Sequence, residues 1–135
     1  MANDLYHGAV TTALIKDGWT IVKENYRLEV DSTITYFFDI LAEKYIIAQK
    51  EKQLIIVEVK TFNRVSKTYE FHAAIGQYIT YHTALEYLKI ERQLYLAIPL
   101  DVYNTLFQRD FVKYLVAKYQ VQLLPFHPEK KILIK

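Results

Sequence analysis

Apolar positions early in the chain recur at helical spacing. Leu5, Ala9, Val10, Ala13 and Leu14 share one face of a helix expected over residues 4–16, which Asp4 caps and Gly18 ends. The pattern then shortens towards a period of two. Residues 19–23 predict a short strand that residues 26–30 extend or pair with, and residues 33–49, rich in β-branched and aromatic side chains, predict another. After the polar break Lys50-Glu51-Lys52 comes the strongly apolar LIIVEVKT of residues 54–61, so the two runs predict a hairpin. Helical spacing returns over residues 69–88, where Phe71, Ile75, Tyr78, Ile79, His82 and Leu85 form a stripe. A strand over residues 93–98 stops at Pro99, and residues 101–119 read as a helix broken near Asp110, which caps its second segment. Residues 121–126 predict a further strand and residues 131–134 a short edge strand. The order α-β-β-β-α-β-α-β predicts an α/β (α+β) fold: a central mixed sheet flanked by helices.

Composition bounds this picture. A chain of 135 residues is one domain, spanning residues 1–135. With 52% hydrophobic and 24% charged residues it is neither disordered nor of low complexity. Only 3 Gly and 3 Pro imply long elements and short loops. Cys is absent, which removes disulfides, zinc-thiolate sites and cysteine nucleophiles. The net charge of +2, from 17 basic and 15 acidic residues, falls short of the basic excess of a general DNA coater. The opening MANDLYHG has no apolar signal region, and no run reaches the ~20 apolar residues of a membrane span. A cytoplasmic protein without a membrane partner is expected. The 12 Tyr and 7 Phe exceed what so small a core absorbs, and a homodimer that covers the surplus is expected.

The candidate chemistry lies in the hairpin. Glu58 and Lys60 are two apart in an apolar strand and point to one face, while Val57, Val59 and Thr61 point to the other. A plain Glu-Lys ion pair on a solvated face is the simplest account. A second acid suggests more. Asp39 sits in the apolar FFDILAEK, with Glu43 four residues on and on the same face of a regular strand. An Asp and a Glu can hold a divalent cation through oxygen, and a neighbouring Lys can orient the attacking water and balance charge on a phosphate. This is a kit for metal-dependent phosphodiester hydrolysis. The register decides which acid joins Glu58. A tight turn at Lys50-Glu51 sets Glu58 opposite Glu43 and Asp39 opposite Phe62, leaving Asp39 about 13 Å from Glu58's partner position. A longer loop or a bulge near Leu41 restores Asp39.

Asp39 followed by Glu58-Val59-Lys60 resembles the PD-(D/E)xK nuclease superfamily, whose restriction-endonuclease-like fold has an αβββαβ core. The spacing of Gln77 and Tyr81 resembles the QxxxY motif of RecB-like members. Two positions depart from the pattern: Phe38 precedes Asp39 where Pro is usual, and His7 stands where many members place Glu. Longer strings, HGAV (7–10), ALIKDGW (13–19), DILAEK (39–44), VEVKTF (57–62), AIGQY (74–78) and LYLAIPLDVY (94–103), resemble the XisH family, cyanobacterial proteins named as controlling factors for excision of the fdxN DNA element. The resemblance implies the restriction-endonuclease-like fold, DNA as partner, and Mg²⁺ or Mn²⁺ held by Asp39 and Glu58; the simple register favours Glu43, which is kept as a metal ligand in close support. The resemblance implies Lys60 serving the water, Gln77 supporting the site or the phosphate, and His7 ordering a water. It also implies either a Mg²⁺-dependent endonuclease or a non-catalytic factor that binds DNA or protein and assists a recombinase. His72, His82 and His127 fit packing or turn positions and are given no role.

Overall fold

One sheet of six strands, in the order β1-β2-β3-β4-β5-β6, organises the molecule. The structure is a computed structural model that describes residues 2–63 and 66–135, with side chains in the first helix from Leu5 onward. Helix α1 (Ala2–Lys16) leads into β1 (Thr20–Glu29), β2 (Thr35–Ile46) and β3 (Glu51–Val59). Helix α2 (Lys67–Tyr87) precedes β4 (Gln93–Pro99); then come α3 (Leu100–Asn104), a 3₁₀ turn (Leu106–Gln108), α4 (Asp110–Lys118), β5 (Leu123–His127) and β6 (Ile132–Leu133). The β1–β2, β2–β3 and β5–β6 pairs are antiparallel, and β3–β4 and β4–β5 are parallel. The mixed α/β architecture is the one read from the periodicity.

The sheet is apolar on both faces, which accounts for its unbroken runs of buried residues. On one face Ala9, Val10 and Leu14 of α1 pack with Ile40, Ala42, Ile55, Val57, Ala97 and Phe126. On the other, α2 and the segments after β4 pack Phe71, Tyr78, Leu85, Phe107 and Val112 onto Phe38, Leu41, Ile56, Leu94 and Leu96. The end of α1 follows the sequence closely. Trp19 N–H donates to Leu14 O and Gly18 N–H to Ile15 O, both at 3.0 Å, with Gly18 at φ 97°. This is a Schellman turn, which needs a residue free to adopt positive φ.

Several expectations are corrected. The capping role expected of Asp4 falls on a side chain outside the described ones. Of the two alternatives left for residues 26–30, extension holds: residues 20–29 form one continuous strand, with a register shift between Ile21 and Lys23. The helix expected over residues 101–119 is three pieces, because the backbone breaks at Thr105 (φ −113°, ψ −80°). Asp110 lies in the first turn of α4 behind Arg109, with no side-chain cap bond, so its contribution is charge at the helix N-terminus. The tight turn at Lys50-Glu51 does not form. The turn occupies residues 47–50, with Lys50 at φ 55°, and Ile46 faces Glu51.

Candidate active site

The earlier position of the turn fixes which acid meets Glu58. Ile40 faces Val57, so the next positions outward are Asp39 and Glu58, while Glu43 faces Leu54. The β2–β3 ladder ends at this point, although β2 stays paired with β1 back to Thr35. Strands β2 and β3 therefore fork, with Asp39 at the fork. The side-chain alternation of β2 also changes phase there: Tyr36 and Phe38 join the α2 side, whereas Ile40 and Ala42 join the α1 side. Across the sheet, Asn25 lies between the Glu24–Ile40 and Tyr26–Phe38 pairs and takes φ 54°. Asn tolerates that left-handed conformation better than a branched residue does.

The fork has a polar consequence. Val59 N–H has lost its strand partner and donates instead to Asp39 Oδ2 at 2.8 Å. This bond holds the carboxylate against β3. Glu58, 5% exposed, is the one buried charged residue among the described ones. Its carboxyl shares a hydrogen bond with that of Asp39, and its Oε1 has no partner among the described residues. Burial, then the negative charge of Asp39, pushes the Glu58 carboxyl from 4.5 up to about 9; the Lys60 ammonium opposes the shift. Lys60 continues the parallel run of β3 on β4, its N–H donating to Ala97 O at 2.9 Å.

Helix α2 supplies the facing wall. Ser66 accepts from Tyr69 N–H and caps the helix start. Gln77 Nε2 donates to Tyr81 at 3.1 Å, joining the two residues of the QxxxY spacing. Gln77 Oε1 is buried without a partner among the described residues. Burial, then the charge of Glu58, pushes the Tyr81 hydroxyl above its ordinary value. His7 of α1 closes another side, its Nε2 2.7 Å from Glu24 Oε1.

These groups line one cleft of about 640 Å³. His7, Asp39, Glu58, Lys60 and Gln77 all border it, five of the six residues singled out from sequence. Glu43 does not. It lies four residues along β2, 3.5 Å from Lys52 Nζ. The expected role of Glu43 as a supporting ligand is therefore replaced by a surface ion pair, because the turn lies two residues earlier than expected and moves the register away from it. Sequence reading missed Phe37, Thr61, Asn63, Tyr69 and Glu70, which also border the cleft. Glu70, Ala73, Ala74 and Gln77 were findable: their spacing places them on one face of α2, and the two alanines leave room above the carboxylates.

Among the described residues no group of three or more His, Asp or Glu converges as a cation site. The two carboxyls nevertheless fit a hard divalent cation. They are forced together with the Lys60 ammonium as the opposing charge, one oxygen is buried and unpartnered, and Mg²⁺ commonly takes one or two carboxylates and keeps several waters.

The model of the family described as XisH protein matches residues 1–134. A crystal structure of an XisH family protein from Nostoc punctiforme PCC 73102 is 40% identical, with a TM-score of 0.85 over 98% of each chain. The structure of a fdxN element excision controlling factor protein from Anabaena variabilis is 38% identical, with a TM-score of 0.86 over 98% of this chain and 97% of that one. No curated protein matches the chain. No described helix is long and apolar enough to cross a membrane.

Proposed function

Because the chain belongs to the XisH family, we propose that it acts on DNA as a divalent-cation-dependent phosphodiesterase of the PD-(D/E)xK kind, on a restriction-endonuclease-like scaffold. The Anabaena variabilis relative, named as a fdxN element excision controlling factor, supports a setting in DNA element excision. The observation that carries the chemistry is the Asp39–Glu58 pair at the strand fork, with Lys60 beside it. Two carboxyls forced together favour a proton on Glu58, and the same pair would hold a cation once that proton is released. Asp39 and Glu58 are the residues that would hold Mg²⁺ or Mn²⁺. The bound cation supplies positive charge that offsets the negative charge developing on the phosphate. The Lys60 ammonium orients the attacking water and stabilises the same charge. Gln77, fixed by Tyr81, offers its free Oε1 to that water.

The test is cleavage of plasmid, single-stranded and branched DNA with Mg²⁺ or Mn²⁺. Lys60→Ala should lower the rate about a hundredfold or more. Inactivity of the wild type on every substrate, or undiminished activity of the variant, sinks the reading.

A second reading is a non-catalytic factor that binds DNA or a recombinase during excision. It is favoured by the convergence of only two carboxylates among the described residues and by the engagement of His7 with Glu24. Retention of DNA without metal, with a stable protein partner and no cleavage, is the result that supports it.

A further inference from the structure

The cleft leaves two aromatic rings in water. Phe37 of β2 is 48% exposed and Tyr69, in the first turn of α2, is 61% exposed; both border the cleft that holds Asp39 and Glu58. Their sequence neighbours Phe38 and Phe71 are buried, at 0% and 5%. Exposing large rings costs hydrophobic free energy that the core nearby could have recovered. Rings so placed beside a phosphodiester site are suited to stack on bases, an interaction every base can make.

The charge around the cleft points the same way. Among its described lining residues Lys60 is the one lysine or arginine, against the carboxyl groups of Asp39, Glu58 and Glu70. Duplex binders grip the backbone through many Lys and Arg contacts, and their affinity rests largely on them. A single strand can be held by stacking with few cations. Access matters too. Glu58 lies at the floor with 5% exposure, in a cleft the size of a small-ligand pocket. A flexible strand can lower one phosphate to that floor; a stiff duplex has to deform to do so.

We propose that the cleft takes single-stranded or frayed DNA in preference to intact duplex, with flanking bases stacked on Phe37 and Tyr69. This rests on reading the cleft as a DNA site and specifies its substrate.

The test is fluorescence anisotropy with a labelled oligothymidylate and a blunt duplex of equal length. Ca²⁺ replaces Mg²⁺ to occupy the oxygen ligands. The single strand should bind at least about tenfold more tightly. Phe37→Ala and Tyr69→Ala should each weaken single-strand binding about tenfold, whereas Phe37→Trp and Tyr69→Phe, which keep a ring, should preserve it. Circular dichroism melting checks that each variant is folded. Equal or tighter duplex binding, or folded Ala variants with undiminished single-strand affinity, overturns the proposal alone. Failure to bind either form overturns it together with the DNA reading of the site.

Discussion

Glu58 is a carboxyl group held where its charge is costly, and its protonation should be visible in stability. Unfolded, it titrates near 4.5; folded, at about 9. Between those values the native chain keeps a proton that the unfolded chain has released. A carboxyl raised in this way contributes fully below 4.5, and its contribution is lost as pH rises towards 9. The metal-free protein should therefore lose thermal stability across that window, and Glu58→Gln, which mimics the neutral form, should flatten the slope. A variant whose melting temperature falls as steeply as the wild type's rules out Glu58 as the source. Lys60 had a plain alternative as half of a surface ion pair. The structure instead sets it beside a buried Glu58 that is hydrogen-bonded to Asp39.

At the scale of elements, the ends of strands and helices hold most of the information. Gly18 was readable as a helix stop, and its φ of 97° shows why. A Cβ there would also lie 2.9 Å from Lys44 Cε, a flexible contact that can move aside, so backbone conformation dominates the cost. Gly18→Ala should lower stability by about 1–2 kcal/mol in urea unfolding, and an unchanged midpoint would contradict this account. The site depends on another such end. The turn at residues 47–50 is centred two residues earlier than the polar run had suggested, and this shifts Asp39 into place opposite Glu58. Asn25, at φ 54° opposite the fork, lies within one continuous strand, where pattern reading had left open one extended strand or two paired ones.

At the scale of the whole molecule, the surplus of aromatic residues now has addresses. Phe111 and Tyr114 stand on the outer face of α4, 69% and 68% exposed, and Tyr87 ends α2 at 71%. The proposed homodimer draws its support from this unabsorbed surface. Light scattering should then give twice the monomer mass of 16.0 kDa, and a monomer at all concentrations would remove the proposal. The near-balanced charge also acquires a location. Two of the fifteen acids, Asp39 and Glu58, meet at the fork, so they contribute little to the charged surface elsewhere.

The element order, the mixed α/β class, the helix stop at Gly18 and the acid-acid-lysine set were all legible in the chain before any fold was known. Periodicity and charge placement are local properties, and a costly charge inside an apolar strand is conspicuous without coordinates. The same residues carried the XisH resemblance, which the family model and the two crystal structures support. Pattern alone left open whether Asp39 or Glu43 joins Glu58, because moving the turn by two residues changes every cross-strand partner by four. Nor did it reveal that Phe37 and Tyr69, 32 positions apart, border one cleft. Those outcomes depend on how two strands part and where a helix lies across them. Packing of both sheet faces sets that geometry, and no single segment contains it.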